Sequence, residues 1–254
     1  MPDRNRCGCP PLPLETLYNA RDLGGYPVAG GRATVCGRFV RTDAPVRLSD
    51  TDRLTLLAYP VSLVVDLRSR SEISHLPHQL KGQPGIVYHH IPLLGADLES
   101  DLARLQQQDV LNRLTLADLY RHMLDQSQAA IGAVMTVLAA ETTGARLFNC
   151  SHGKDRTGLI AALLLGLAGV PQEQIVADYQ ISEVYLKPWF RQFIRQVPRH
   201  ERHFFQTPAR YMQDTLAYLT QRYRSAADYL SCCGVTPASQ NQLVALLTEE
   251  AGRV

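Results

Sequence analysis

The chain has 254 residues, 45% of them hydrophobic and 20% charged, and its 26 Lys+Arg against 24 Asp+Glu leave a net charge of +2. So small an excess excludes nucleic acid as the default partner, and the length suffices for a sizeable core without metals or disulfides. The opening Met1-Pro2-Asp3-Arg4-Asn5-Arg6-Cys7 has no apolar stretch behind its charges, so a standard signal peptide is not expected. The longest apolar run, Leu159 to Val170, falls short of the ~20 residues of a membrane helix.

Six cysteines in a chain this long do not read as a disulfide scaffold. Cys7, Cys9 and Cys36 have neither a standard zinc spacing nor a neighbouring His. The expectation is reduced thiols in a cytoplasmic protein, with no metal and no cofactor.

In chain order, β-branched runs alternate with amphipathic stretches, the pattern of an α/β protein. Arg38 to Arg41 is a strand candidate, and Ser49 caps a helix carrying Asp50 and Asp52 in its first turn. Val61 to Leu67 is apolar on both faces, which predicts a central strand. Ile86 to Ile91 predicts a further strand, Leu116 to Ala140 a long helical reach, and Arg146 to Asn149 a short strand. The helix starting near Thr157 is apolar all round and is expected to be buried. Pro171, Thr207-Pro208 and Thr236-Pro237 mark three later helix starts, so the C-terminal part is mostly helical. The expected fold is a single α/β domain with a central, mostly parallel sheet flanked by helices.

The chemistry is concentrated in Phe148-Asn149-Cys150-Ser151-His152-Gly153-Lys154-Asp155-Arg156-Thr157-Gly158, between a strand and the buried helix. At such a junction backbone N–H groups and the helix dipole converge on an anion. A nucleotide P-loop is excluded, because it needs Gly at 148 and Ser or Thr at 155. Cys150, five intervening residues, Arg156 and Thr157 instead let the chain wrap once around a tetrahedral dianion. The amides from Ser151 onward then face the anion, and the guanidinium forks onto two oxygens. A thiol with the ordinary pKa of about 8.5 is only about 3% ionised at pH 7, so the chemistry needs a thiolate favoured by the helix N-terminus and Arg156. Thr157 is expected to add a hydroxyl hydrogen bond to the sulfur, and Gly153 to relieve a bend that a Cβ would crowd.

This loop resembles the signature of the cysteine-dependent protein tyrosine phosphatase superfamily. Its Gly-Lys-Asp-Arg-Thr-Gly ending is similar to the bacterial tyrosine/serine and phosphoinositide phosphatase branch. Asn19-Ala20-Arg21-Asp22-Leu23-Gly24-Gly25-Tyr26 resembles that branch's N-terminal element, and Arg38 to Ala44 and Val65 to Ser69 fall in family order. The Pro-rich start reads as a flexible N-terminus over 1–14, the resemblance implies a phosphatase domain over 15–254, and the C-terminal part is expected to form a helical lid region. The resemblance also implies phosphomonoester hydrolysis through a cysteinyl-phosphate, with inorganic phosphate as product. The substrates expected are phosphotyrosine proteins, with phosphoserine or phosphothreonine, or phosphoinositides.

The residues implied are Cys150 as nucleophile, Arg156 and Thr157 beside it, and Ser151, His152, Gly153, Lys154 and Asp155 around the phosphate. Asn149 stands where the superfamily usually has His; it can donate to loop carbonyls but carries no charge. His152 either narrows the pocket or faces outward. No Trp-Pro-Asp element exists, which leaves Asp155 ahead of Asp66 as the general acid; Asp66 reads otherwise as a structural partner of Arg68 or Arg21. Lys154 is a second phosphate contact or a solvated lysine. The basic, aromatic stretch from Lys187 to Arg224, with Trp189, Phe190, Phe193, Phe204 and Phe205, reads as a solvated face, with a lid or a membrane-surface helix pair as the functional alternative. Outside hydrolysis, the competing reading is a non-catalytic module that recognises phosphorylated partners.

Overall fold

The computed structural model describes residues 9, 12–94, 115–140 and 143–248. Among the described residues seven strands form, β1 (Arg21–Asp22), β2 (Pro27–Val28), β3 (Arg32–Ala33), β4 (Phe39–Thr42), β5 (Val61–Asp66), β6 (Val87–His90) and β7 (Ala145–Asn149). Five of them make one sheet in the order β1-β4-β7-β5-β6, while β2 and β3 pair separately. The pairings β4·β7, β7·β5 and β5·β6 are parallel, and β1 lies antiparallel on the β4 edge. The central strand is therefore β7, which delivers the loop, and β5 is interior beside it.

Alternation along the strands explains the two-sided core. Phe39, Leu63, Val65 and Phe148 join the larger apolar cluster, which the helices cover. Val40, Val64 and Leu147 join the smaller one, with Leu56 and the N-terminal Leu12 and Leu17.

The helices are α1 (Asp50–Ala58), α2 (Arg70–His75), α3 (Leu116–Gln126), α4 (Gln128–Ala139), α5 (Asp155–Leu167), α6 (Gln172–Phe190), α7 (Ala209–Tyr223), α8 (Ala226–Cys232) and α9 (Pro237–Thr248). Ser49 accepts from the Asp52 N–H as expected. Leu159 to Leu165 of α5 are all buried, so its lack of a polar face matches its place inside the larger cluster. The reach expected as one helix over 116–140 is two, broken at Ser127, which ends α3 and precedes α4. At the start of α7 the cap is Pro208; Thr207 instead donates its hydroxyl to the Gln180 carbonyl.

The expectation of reduced thiols is corrected for one pair: Cys9 and Cys36 form a disulfide, with Cα atoms 5.7 Å apart. The N-terminal segment folds back until Cys9 is buried against Gly24, which the sequence reading of a frayed start did not foresee. Cys7 lies outside the described residues, as does most of the stretch 1–14 expected to be flexible; of its described part, Cys9 and Leu12 are buried. Among the described residues no His/Cys/Asp/Glu group is arranged to hold a metal, and no helix is long and apolar enough to cross a membrane.

Candidate active site

Cys150 follows the last residue of β7, and its thiol is free and buried. The chain then turns through Ser151 to Lys154 and enters α5 at Asp155. Gly153 has φ +62°, and a Cβ there would collide with the Thr42 backbone, so only glycine fits the turn.

The loop's carbonyls are held from outside. Asn19 Nδ2 donates to the carbonyls of His152 and Gly153, both at 2.9 Å, and Arg41 Nη2 donates to Gly153 O at 2.6 Å. In a trans peptide N–H and C=O point opposite ways, so these bonds turn the amides of Gly153 and Lys154 away from Asn19 and Arg41. Asn19 is itself held by Arg21, whose Nη1 reaches Asn19 Oδ1 at 2.6 Å. Arg21 and Arg41 share the buried carboxylate of Asp178, which also accepts from Tyr26 at 2.9 Å. Burial alone would raise the pKa of Asp178, but the two guanidiniums hold it down at about 2. The Asn19-Ala20-Arg21 element thus reaches the loop through side chains.

Arg156 is engaged by a residue the sequence reading missed. Its Nη1 and Nη2 meet the two carboxylate oxygens of Glu72 at 2.6 and 2.8 Å, and the Ser151 hydroxyl donates to the same carboxylate. Glu72 is fixed in turn by the capping box that starts α2, accepting from the Ser69 N–H at 2.7 Å. Burial opposes its charge, yet Arg156 and Ser151 bring its pKa down to about 2. The Arg156 charge, also opposed by burial, is secured by Glu72.

The two carboxylates considered as general acid sit differently. Asp155 keeps 26% of its side chain exposed; its Oδ1 accepts from the Tyr120 hydroxyl and lies 3.3 Å from Lys154 Nζ. Tyr120 also meets Tyr179 at 2.7 Å. Asp66 is fully buried, with Arg68 Nη2 at 2.7 Å, Tyr88 Oη at 3.0 Å and Asn149 Nδ2 at 3.2 Å. Burial would raise its pKa, but Arg68 turns the net shift downward.

Three loop side chains differ from expectation. Asn149 does not reach loop carbonyls; it donates to Asp66 and its Oδ1 faces His78 Nε2 at 3.1 Å. Lys154 is not solvated, and its ammonium is taken up by protein groups. Its buried Nζ donates to Phe204 O at 2.5 Å and Gln206 O at 3.3 Å, because those carbonyls offer a buried ammonium its partners. Thr157 Oγ1 is buried and has no hydrogen-bond partner among the described residues, so the expected bond to sulfur is not formed here.

His152 packs against Trp189 and Phe190, with ring centroids 4.7 and 5.9 Å apart. Burial lowers its pKa to about 4, which makes it a neutral wall at pH 7. The Lys187–Arg224 stretch is not one helix pair: α6 ends at Phe190, turns follow, and a 3-10 helix spans Arg199–Phe205 before α7. The spacing of Arg191, Arg195 and Arg199 therefore marks no continuous helix face. A cavity of about 720 Å³ opens beside the loop between Ser151, His152, Glu72, Tyr18 and Trp189. Residues of the loop, α2 and α6 thus meet around this one space.

The profile described as the tyrosine phosphatase family matches residues 12–249. A tyrosine-protein phosphatase of Nostoc commune is 38% identical over 163 residues, 63% of this chain and 53% of its own length. A putative tyrosine-protein phosphatase of Cupriavidus necator is 34% identical over 176 residues, 66% of this chain and 61% of its own. The chain thus spans between half and two thirds of these two relatives. The triple specificity protein phosphatase PtpB of Mycobacterium tuberculosis is 27% identical over 279 residues, 92% of this chain and 98% of its own.

Proposed function

Because the chain belongs to the tyrosine phosphatase family, we propose that it hydrolyses phosphate monoesters through a cysteinyl-phosphate. The Cys150 thiolate attacks phosphorus in line as the bond to the leaving oxygen breaks, and Asp155 gives that oxygen its proton. Asp155 then takes a proton from water, which attacks the phosphocysteine, releasing inorganic phosphate and restoring the thiolate. Arg156 and the loop amides hold the charge on the equatorial oxygens, a job for preorganised donors. No metal takes part.

The observation that carries this reading is the free, buried Cys150 at the mouth of a loop whose carbonyls Asn19 and Arg41 hold outward. Asp155 is preferred to Asp66 because it is partly exposed beside the loop, whereas Asp66 is fully buried with its carboxylate engaged by Arg68, Tyr88 and Asn149. Asp66 then braces Asn149 and the end of β5. The substrates are phosphorylated proteins, phosphotyrosine first. PtpB, named a triple specificity protein phosphatase, matches over most of the chain, which supports a range wider than one phosphorylated residue; phosphoserine, phosphothreonine and phosphoinositides are the further substrates that the signature loop's resemblance implies.

The deciding assay is phosphate release from a panel of phosphopeptides and phosphoinositides with EDTA present, followed by acid quench and detection of phosphate on Cys150. Turnover that EDTA spares, with label on Cys150, is the expected result. Turnover without any labelled cysteine overturns the mechanism.

A further inference from the structure

A second cavity, of about 590 Å³, lies along the end of α6 and under the segment Arg202–Pro208. At 3.6 residues per turn, Leu186 and Trp189 face the cleft beside the loop, whereas Ile181, Val184 and Lys187 project from the opposite side of the helix into this second space. Its walls are Ile181, Val184, Ile194, Phe190 and Phe205, the last two in edge contact at 5.1 Å. Val184 is an exposed large aliphatic, 39% open to solvent, at the entrance.

The rim carries the opposite chemistry. Lys187 and Arg191 are exposed, and Arg202 spends its donors on the Val197 and Arg195 carbonyls. Among the described residues none of these three cations pairs with a carboxylate. The one described carboxylate in the lining, Glu183, already accepts the Thr207 N–H at 2.8 Å. An apolar lining rimmed by cations that no described carboxylate pairs with complements a molecule that has a hydrocarbon tail and an acidic head.

We propose that this cavity binds a single-chain fatty acid, its tail along Ile181, Val184, Phe190, Ile194 and Phe205 and its carboxylate at Lys187 and Arg191. The assignment is independent of which residues perform hydrolysis. The site is nevertheless tied to the loop. Phe190 lies 5.9 Å from the His152 ring, and the Phe204 and Gln206 carbonyls beside the cavity hold Lys154. The chain's single tryptophan, Trp189, faces the other cleft but has its ring 5.3 Å from Phe190 of this cavity, so its emission is a readout through that contact.

The test titrates the full chain with laurate below its critical micelle concentration, following Trp189 emission and the thermal midpoint. A saturable emission change with a raised midpoint is expected, since a ligand of the folded state stabilises it. The double variant Lys187→Glu/Arg191→Glu should weaken binding at least about tenfold, two exposed charge contacts being reversed. Val184→Asp, at an exposed position that does not threaten folding, should weaken it comparably. Dodecyltrimethylammonium, with the same tail and the opposite charge, should give no saturable change. The proposal is overturned by absence of a laurate response, by equal affinity in the double variant, or by equal binding of the cationic amphiphile. Sedimentation with phosphatidylglycerol vesicles in the absence of any laurate response would identify a membrane-facing surface instead, and equally overturn it.

Discussion

Glu72 closes on Arg156 across 84 residues of sequence, its two oxygens matched to the two terminal guanidinium nitrogens. The pair is half-buried, with side chains 31% and 13% exposed. The two-point contact fixes the plane of the guanidinium, and in the proposed reaction that plane would set whether two parallel N–H bonds meet two phosphoryl oxygens. In the proposed mechanism Glu72 is thus a positioning residue, held at the start of α2 by the Ser69 capping box.

Replacing Glu72 by Gln keeps the shape and removes the charge. The expected outcome is a drop in kcat of about tenfold or more with the fold retained, the cost of misorienting one charge-assisted contact of about 1.5–3 kcal/mol. Because the folded-state pKa of Glu72, about 2, lies below its ordinary 4.5, its stabilising contribution is complete above pH 4.5 and is lost as the pH falls toward 2. Acid unfolding of wild type and Glu72→Gln followed by circular dichroism should differ in that window. Coincident acid transitions would remove the linkage.

Arg156→Lys should lose at least about a hundredfold in kcat, on the scale of one missing oxyanion donor, since a point charge cannot supply two parallel bonds. It also breaks the two-point match to Glu72. Steady-state kinetics on an aryl phosphate decides; a loss under about threefold would place the guanidinium outside the transition state.

Cys150→Ser should abolish turnover and still bind vanadate, because the loop amides and Arg156 are untouched. Calorimetric titration with vanadate, alongside phosphate release, measures both halves. Turnover near that of wild type would end the nucleophile assignment.

The buried Asp178 compensates two guanidiniums, Arg21 and Arg41, both nearly inaccessible to water. Asp178→Asn should cost about 3–5 kcal/mol of stability, the usual price of leaving buried charge unpaired. Denaturant unfolding gives the number. A change under about 1 kcal/mol would mean that water or other partners replace the carboxylate.

How far the site could be read from sequence follows from how its parts are arranged along the chain. Cys150 to Gly158 is contiguous, so a fixed spacing suffices to propose an anion-binding loop and to expect the Gly that the turn at 153 requires. Glu72, Tyr120 and Asp178 arrive from α2, α3 and α6 only after folding, and nothing local distinguishes them from other charged or aromatic residues on helices. Asn19 and Arg21 carried a signal as part of a motif, but their role as props of the loop needed the observed hydrogen bonds. Lys154 fits neither expectation, because by charge alone a lysine in such a loop reads as an anion contact or as a solvated side chain. Only the tertiary arrangement reveals the Phe204 and Gln206 carbonyls that capture it. Similarly, β5 reads as the central strand because it is apolar on both faces. The sheet order, which no single segment encodes, gives the centre to β7.

The general acid is the assignment with the clearest discriminating experiment. If Asp155 protonates the leaving oxygen, Asp155→Asn should be most damaging with alkyl phosphates, whose alkoxides are poor leaving groups. It should be mild with activated aryl phosphates, which depart without a proton. Asp155 has the exposure for this task, and Tyr120 and Lys154 hold its Oδ1 in place. Asp66→Asn removes a buried carboxylate from Arg68, Tyr88 and Asn149, and should lower stability and depress turnover evenly across leaving groups. Measuring kcat/KM against leaving-group pKa for both variants separates the roles, because a structural defect shifts the line and a lost acid steepens it. A steepened line for Asp66→Asn with an unchanged slope for Asp155→Asn would transfer proton donation to Asp66. Asp155 would then serve to anchor the start of α5 to Tyr120.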